Sequence, residues 1–318
     1  MTIDLTVPGI GVGRAFGSCG ELLQGVTEQN RHFLVTLPIR RGTVAVFEPS
    51  EHDIAVVPAD KSKAHRLASA MLARSTVLCG GRLTLHSELP EGKGLASSTA
   101  DLVATARAIA DAEGRAVPLG ELEADLRAIE PSDGVMYPGT VAYLHREVRL
   151  LAPLGTLPAL TIVTGDEGGS VDTVEFNRNE PRFSPADKRE FDRLLGELGA
   201  AIAHGDVATI GAVATRSAVL SAATRDRPHL DATILAARAI GAAGVVVAHS
   251  GTTTGILLAD TDPRLREQVL AAQQICADFA RSVTVHHSWR PGVHAEQRVS
   301  TVDHPHLLTI PRTESTPR

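Results

Sequence analysis

One short stretch limits what this chain can become more than any other. An alternating run, Arg82–Ser87, has the period of a strand. It is followed by Glu88-Leu-Pro-Glu-Gly-Lys-Gly-Leu-Ala-Ser-Ser-Thr-Ala-Asp101, and then by the alanine-rich run Leu102–Ala112, which reads as a helix. Gly92 and Gly94 let the backbone between them turn tightly and approach a ligand closely. Ser97 or Ser98 is placed to cap the helix. Asp101 stands three residues beyond Ser98, the spacing of a capping box with Asp in place of Glu or Gln. Amides at that helix end, together with the dipole, make an anion site, and a serine hydroxyl there can ligate Mg²⁺. The stretch is neither a Gly-x-x-x-x-Gly-Lys-Ser/Thr phosphate loop nor a dinucleotide fingerprint. A plain capped helix after a glycine turn accounts for the same spacing. The Asp101 carboxylate favours that plainer reading, because it repels phosphate unless a cation balances it.

The remaining pattern is α+β, mixed rather than strictly alternating. Phe33–Ile39 and Thr43–Phe47 read as a hairpin through Arg40–Gly42, and Ile54–Val57 as a further strand. Ala64–Leu78 reads as a helix with Leu67, Met71 and Leu78 on one face, and Leu119–Ile129 as another, stopped by Pro131. Pro and Gly cluster at Ala152–Pro158, which marks a boundary. Beyond it come a strand (Ala159–Thr164), three helices (Pro185–His204, Val207–Ala222 and Leu230–Ala239), and two strands (Gly244–Ala248 and Thr254–Ala259). A last helix (Pro263–Ala280) and strand (Ser282–His287) precede a Pro/Thr/His-rich tail. At 318 residues the length suits about two domains.

Composition excludes several classes. The net charge of −6 argues against a generally basic nucleic-acid binder, and 3% aromatics against a base-stacking platform. Cys19, Cys79 and Cys276 show neither zinc spacing nor a disulfide framework, as expected of a cytoplasmic chain. No signal-peptide pattern opens the sequence, and no run of ~18 apolar residues would span a bilayer. A homodimer is left open.

Four segments in order carry a resemblance. Gly17-Ser-Cys-Gly-Glu-Leu-Leu-Gln-Gly25, the Pro90–Asp101 stretch, Glu130-Pro-Ser-Asp133 and Ala248-His-Ser-Gly-Thr-Thr-Thr-Gly255 resemble the motifs of the GHMP kinases. Pro90, Gly94, Leu95, Ala96, Ser97 and Ser98 match the second motif, while Thr99 replaces an alanine. Within the family, the wording is most similar to the branch that phosphorylates L-threonine in propanediol utilisation and cobalamin synthesis.

The resemblance implies a fold: an N-terminal domain (1–155) like domain 2 of ribosomal protein S5, a ferredoxin-like C-terminal domain (156–300) and a flexible tail (301–318). It also implies chemistry. ATP phosphates would lie on Pro90, Gly92, Lys93, Gly94, Leu95, Ala96, Ser97, Ser98 and Thr99. Mg²⁺ would be held by Ser98 and a carboxylate. Glu130 is the choice for that carboxylate, with Glu121 and Glu123 as rivals, because the spacing to the following Asp is shorter than the family's. The acceptor would be a hydroxy amino acid.

Phosphoryl transfer needs charge neutralisation, an aligned acceptor hydroxyl and a place for its proton. Asp133 is the candidate base or orienting group; its alternative is a turn-forming Asp before Gly134. Glu21 either binds a substrate ammonium or closes a structural turn. Arg14, Ser18 and Gln24 are candidate substrate contacts, Arg14 through a carboxylate. Cys19 shares that segment but reads as a small packed residue. His249, Ser250 and Gly251 would close over the site, although His249 also fits a hydrogen-bonded residue at a domain seam. Lys93 either adds a cation beside the phosphates or is simply solvated. His286, His287 and His294 suggest neither zinc nor a triad and read as surface or late-strand residues. The reading that follows is an ATP-dependent L-threonine kinase. Its alternatives are a kinase for serine, homoserine or a specialised-metabolite alcohol, and a non-catalytic ligand sensor on the same fold.

Overall fold

The computed structural model describes residues 9–169, 183–222 and 226–291. The expected tail and His294 lie outside these residues.

Two long strands organise the first half. β1 (Gly11–Val26) and β2 (His32–Ser50) form one antiparallel ribbon, from Gly11 opposite Phe47 to Val26 opposite His32. The expected hairpin inside Phe33–Phe47 is therefore corrected. Both runs belong to the single strand β2, and the turn lies at residues 27–31. β1 escapes the strand pattern because it is glycine-rich, and its glycines serve packing. A Cβ on Gly11 or Gly13 would meet the Ala108 or Ala104 carbonyl oxygen at 2.0 Å. Those alanines belong to α2 (Ser97–Ala112), which lies backbone-close on the ribbon and is buried almost throughout.

β3 (Ala55–Val57) and β4 (Gly80–Ser87) complete this edge of the sheet, and α1 (Ser62–Leu72) lies between them in sequence. The helix expected to reach Leu78 stops at Leu72. Ser75 ends the run by accepting the Val77 and Leu78 amides on its hydroxyl, and Leu78 enters the core from that turn. α3 (Leu119–Arg127), β5 (Thr140–Leu144) and β6 (Arg149–Gly155) follow, with β5 pairing both β2 and β6.

The second half comprises β7 (Leu160–Asp166), α4 (Pro185–His204), α5 (Val207–Ala222), α6 (Leu230–Ala239), β8 (Gly244–Val247), β9 (Thr253–Ala259), α7 (Leu265–Ala277) and β10 (Ser282–His287). Its strands run in the spatial order β10-β7-β9-β8, all antiparallel, which is the 4-1-3-2 arrangement of a ferredoxin-like sheet. β8 touches β1 through Val247 opposite Glu21, so one ten-stranded sheet runs through both halves. β1 carries its register shifts between Phe16 and Leu23. Such irregularities bend a strand and re-aim its side chains. The bend coincides with Glu21 and with the crossing to β8.

The larger apolar cluster also spans the halves, joining Leu23, Phe33 and Tyr143 to Phe191, Leu198 and Ile210. His286 and His287, read as surface or late-strand residues, end the last strand; His286 is buried there, and burial lowers its imidazole pKa to about 4. Among the described residues no helix is long and apolar enough to cross a membrane.

Candidate active site

The glycine-bearing loop ends at Ala96, which takes a left-handed conformation (φ 56°, ψ 28°) as the N-cap of α2. The expected capping box is not formed: no side chain caps the helix, and Asp101 is engaged elsewhere. Its Oδ1 accepts from Thr43 Oγ1 at 2.6 Å and its Oδ2 from Lys61 Nζ at 2.7 Å. Lys61 is thus the cation whose absence had made Asp101 an objection to phosphate. Burial opposes the charge on Lys61, but its bonds to Asp101 and to Glu91 at 2.5 Å raise its pKa overall.

Because neither serine caps the helix, both hydroxyls are free of that task. Ser98 Oγ donates to Glu130 Oε1. Glu130 Oε2 lies 2.5 Å from Lys63 Nζ, which is also 3.5 Å from Ser98 Oγ. An ammonium already sits against both oxygen donors, so the pocket accommodates a cation at that point. Mg²⁺ in nucleotide sites takes one or two protein carboxylates and completes its shell from phosphates and water. The donor set of Ser98 and Glu130 fits that habit. Among the described residues no three His, Cys, Asp or Glu side chains converge for a metal. The two rival carboxylates face other partners. Glu121 pairs with Arg115, and Glu123 accepts from Tyr137 Oη at 2.8 Å and from the Leu150 amide at 2.9 Å.

These groups wall a cavity of ≈ 370 Å³, the size of a small-ligand site. It brings together Gly92, Gly94, Leu95, Ala96, Ser97, Ser98 and Thr99 from the loop and helix start, Glu130 and Asp133 from the segment after α3, Glu21 from β1, and His249 and Ser250 from the turn after β8. Asp133 is fixed from behind, its amide donating to Thr99 Oγ1 at 3.2 Å. Its carboxyl is half-buried, and burial, helped by the charge of Glu130, raises its pKa to about 6 from an ordinary 3.8. Glu21 is buried. Burial and the charge of Asp133 hold its carboxyl well above the usual range, and its Oε2 has no hydrogen-bond partner among the described residues.

Other expected site residues do not line the cavity. Gln24 backs it, with Oε1 2.9 Å from His249 Nδ1. Ser18 supports the loop by donating its amide to the Leu95 carbonyl at 3.1 Å. Gly251 lies so close beneath the loop that a Cβ there would meet the Lys93 carbonyl oxygen at 2.1 Å. Cys19 is buried, and burial with the nearby Glu21 charge drives its thiol far above its ordinary pKa. Arg14 stands opposite Val44 on the ribbon, its carbonyl accepting from Arg107 at 2.6 Å, and Pro90 precedes the cavity wall. Lys93 points away, as described below.

Sequence reasoning missed Lys61, Lys63 and His145. The lysines carried a signal: both sit at the start of α1, where the helix dipole disfavours cations and where no acidic residue offsets them. His145, a buried residue after β5, packs its ring 4.9 Å from that of His249. Only the β5–β2 pairing brings it there, and no local pattern announces that.

Comparison with known proteins finds kinases of small-molecule alcohols. Residues 62–136 match the GHMP kinases N terminal domain. An L-threonine kinase of Citrobacter freundii is 27% identical over 254 residues, covering 78% of this chain and 86% of that protein. A 4-diphosphocytidyl-2-C-methyl-D-erythritol kinase of Thermobifida fusca is 32% identical over 237 residues, covering 73% and 75%. Among solved structures, homoserine kinase from Cytophaga hutchinsonii superposes with a TM-score of 0.65 at 18% identity, covering 91% of this chain and 97% of that one.

Proposed function

The chain belongs to the GHMP kinase family of small-molecule alcohol kinases, and from that premise we propose that it transfers the γ-phosphoryl group of Mg·ATP to the side-chain hydroxyl of L-threonine. The observation that carries the choice of acceptor is the Glu21–Asp133 pair. Two carboxyls share one cavity wall, and the Glu21 oxygen is buried without a partner. Leaving such an oxygen unsatisfied costs free energy that a matching donor removes. A neutral alcohol brings no charge to this wall; an amino alcohol brings an ammonium. The L-threonine kinase relative supports the same choice.

In this reading the loop 92–96 and the N-terminus of α2 receive the phosphates. Ser98 and Glu130 would hold Mg²⁺, which when bound neutralises phosphate charge. Lys61 keeps Asp101 from opposing that binding. Asp133 orients the acceptor hydroxyl and takes its proton as transfer advances. The bond from the γ-phosphorus to the ADP oxygen breaks as the bond to the threonine oxygen forms. Glu21 holds the ammonium.

Release of ADP from Mg·ATP, with L-threonine and with a panel of L-serine, L-homoserine and amine-free 3-hydroxybutyrate, tests the proposal. Threonine-dependent ADP release, with no turnover of the amine-free alcohol, is the expected result. Turnover of another panel member alone would transfer the acceptor assignment to it, and tight ATP binding without phosphotransfer would favour the sensor alternative. Glu21→Gln keeps the shape and removes a carboxyl that can ionise against an arriving ammonium. Its KM for threonine should rise about 10- to 100-fold, since a hydrogen bond to a charged group is worth about 1.5–3 kcal/mol, with kcat changed less. An unchanged KM would remove Glu21 from the acceptor site.

A further inference from the structure

We propose that Lys93 and Asp166 form a latch between the two halves of the molecule, a pair of positioning residues that fixes the phosphate loop for nucleotide binding. The inference rests on the reading of Gly92–Thr99 as the phosphate cradle. A lysine between two glycines of such a loop invites the expectation of a direct phosphate contact. Its side chain instead leaves the cavity: Nζ lies 2.7 Å from Asp166 Oδ2 and donates to the Gly169 carbonyl at 2.6 Å.

Asp166, the last residue of β7, is held ready for it. Its Oδ1 accepts from Thr252 Oγ1 at 2.5 Å and from the Gly168 amide at 3.0 Å. The next residue, the first of β9, completes the tie from the other side, Thr253 Oγ1 donating to the Lys93 carbonyl at 2.8 Å. Lys93 is therefore gripped at its tip by the β7 end and at its backbone by the first residue of β9.

The loop needs that grip. Gly92 and Gly94, on either side of Lys93, adopt φ of 70° and 79°, conformations that glycine enters and leaves freely. Amides that bind phosphate act only when held at fixed positions, and small misplacements are costly. The pair is about one-fifth exposed on each side, so as an isolated ion pair it adds little to global stability. Its consequence falls on the position of the loop.

The test compares Lys93→Met, Asp166→Asn, the double variant and the charge swap Lys93→Asp/Asp166→Lys. ADP affinity is read by calorimetry, amide hydrogen exchange is followed over residues 91–96, and thermal melting serves as a folding control. The expected result is a loss of ADP affinity of about tenfold in each single variant, with faster loop exchange and melting close to wild type. The double variant is no worse than either single one, because the two residues act as a unit, and the swap regains part of the loss. If Lys93 instead touched phosphate, Asp166→Asn would bind ADP as well as or better than wild type, and the latch would be overturned. Binding measures the latch without any acceptor. Normal ADP affinity in both single variants overturns the latch alone. Failure of the wild type to bind ADP overturns the cradle reading beneath it.

Discussion

Asp133→Asn is expected to lower kcat by about 10²- to 10⁴-fold, the range that a positioned acid–base group contributes, while making the protein harder to unfold at neutral pH. Both effects come from the same burial. The carboxyl has a pKa of about 6, against an ordinary 3.8, because burial and the charge of Glu130 penalise its ionised form. A raised pKa means that the folded state binds the proton more tightly than the unfolded state does. The group's favourable contribution is therefore complete below about pH 4 and is lost as pH rises through about 6. At pH 7.5 the wild type carries the penalty, of about 1–3 kcal/mol, and an asparagine does not. Melting temperatures at pH 5 and 7.5 should show a larger gain for Asp133→Asn at the higher pH, on the order of a few degrees. Activity has the opposite sign. kcat/KM for the wild type should fall as pH drops through about 6, since the carboxylate is the working form. A variant that melts as expected but retains wild-type kcat would make Asp133 structural. A wild-type profile flat from pH 5 to 7.5 would remove it as the proton acceptor.

The parts of this molecule that were legible in sequence are those specified locally. The helices Pro185–His204, Val207–Ala222 and Leu230–Ala239 match α4, α5 and α6 residue for residue, because caps and breakers mark their ends: Ser184 closes a box with Asp187, and Gly205 takes a left-handed cap. The second-half strands alternate over short β-branched runs and were equally plain. The N-terminal ribbon was not. Its strand β1 has glycine where a strand would show Val or Ile, since what it packs against is the backbone of α2. Without β1, the runs Phe33–Ile39 and Thr43–Phe47 appeared to pair with each other.

The site shows the same division. Ser98, Glu130, Asp133 and Glu21 could be named from short motifs. The ionic partners that give them their character come from afar. Lys63 reaches Glu130 across 67 residues and Lys61 reaches Asp101 across 40, distances over which no pattern in a single sequence reports contact. Asp101 illustrates the consequence. Three residues after a serine it resembles a capping residue, and only the bond from Lys61 and the hydroxyl of Thr43 show it to be part of a buried polar network beneath the glycine-bearing loop.

Removing the negative charge at Glu130 should be the other severe lesion. The residue is buried, and its two oxygens are divided between Ser98 Oγ and Lys63 Nζ. In Glu130→Gln the side chain keeps its shape, but its amide has one acceptor oxygen where the carboxylate has two. Either Ser98 or Lys63 then meets an N–H, and the Lys63 charge stands unopposed at the position proposed for the divalent cation. A catalytic metal supplies several kcal/mol of charge stabilisation, and each 1.36 kcal/mol is tenfold in rate. Loss of its carboxylate should thus lower kcat/KM by about 10²- to 10⁴-fold. Ser98→Ala removes a neutral donor and leaves Glu130 in place, so its effect should be smaller. The diagnostic measurement is the dependence of ADP binding and of turnover on Mg²⁺ concentration. For Glu130→Gln the half-saturating Mg²⁺ should rise steeply and the Mg²⁺-dependent gain in ADP affinity should shrink. Glu121→Gln, whose carboxylate pairs with Arg115 on the surface, should behave as wild type in both. A Glu130→Gln protein with an unaltered Mg²⁺ requirement would transfer the metal to another carboxylate. Lys63→Met separates the two roles of the pair. If Lys63 occupies the cation position only until Mg²⁺ arrives, its removal lowers the Mg²⁺ needed for ADP binding, whereas loss of Glu130 raises it.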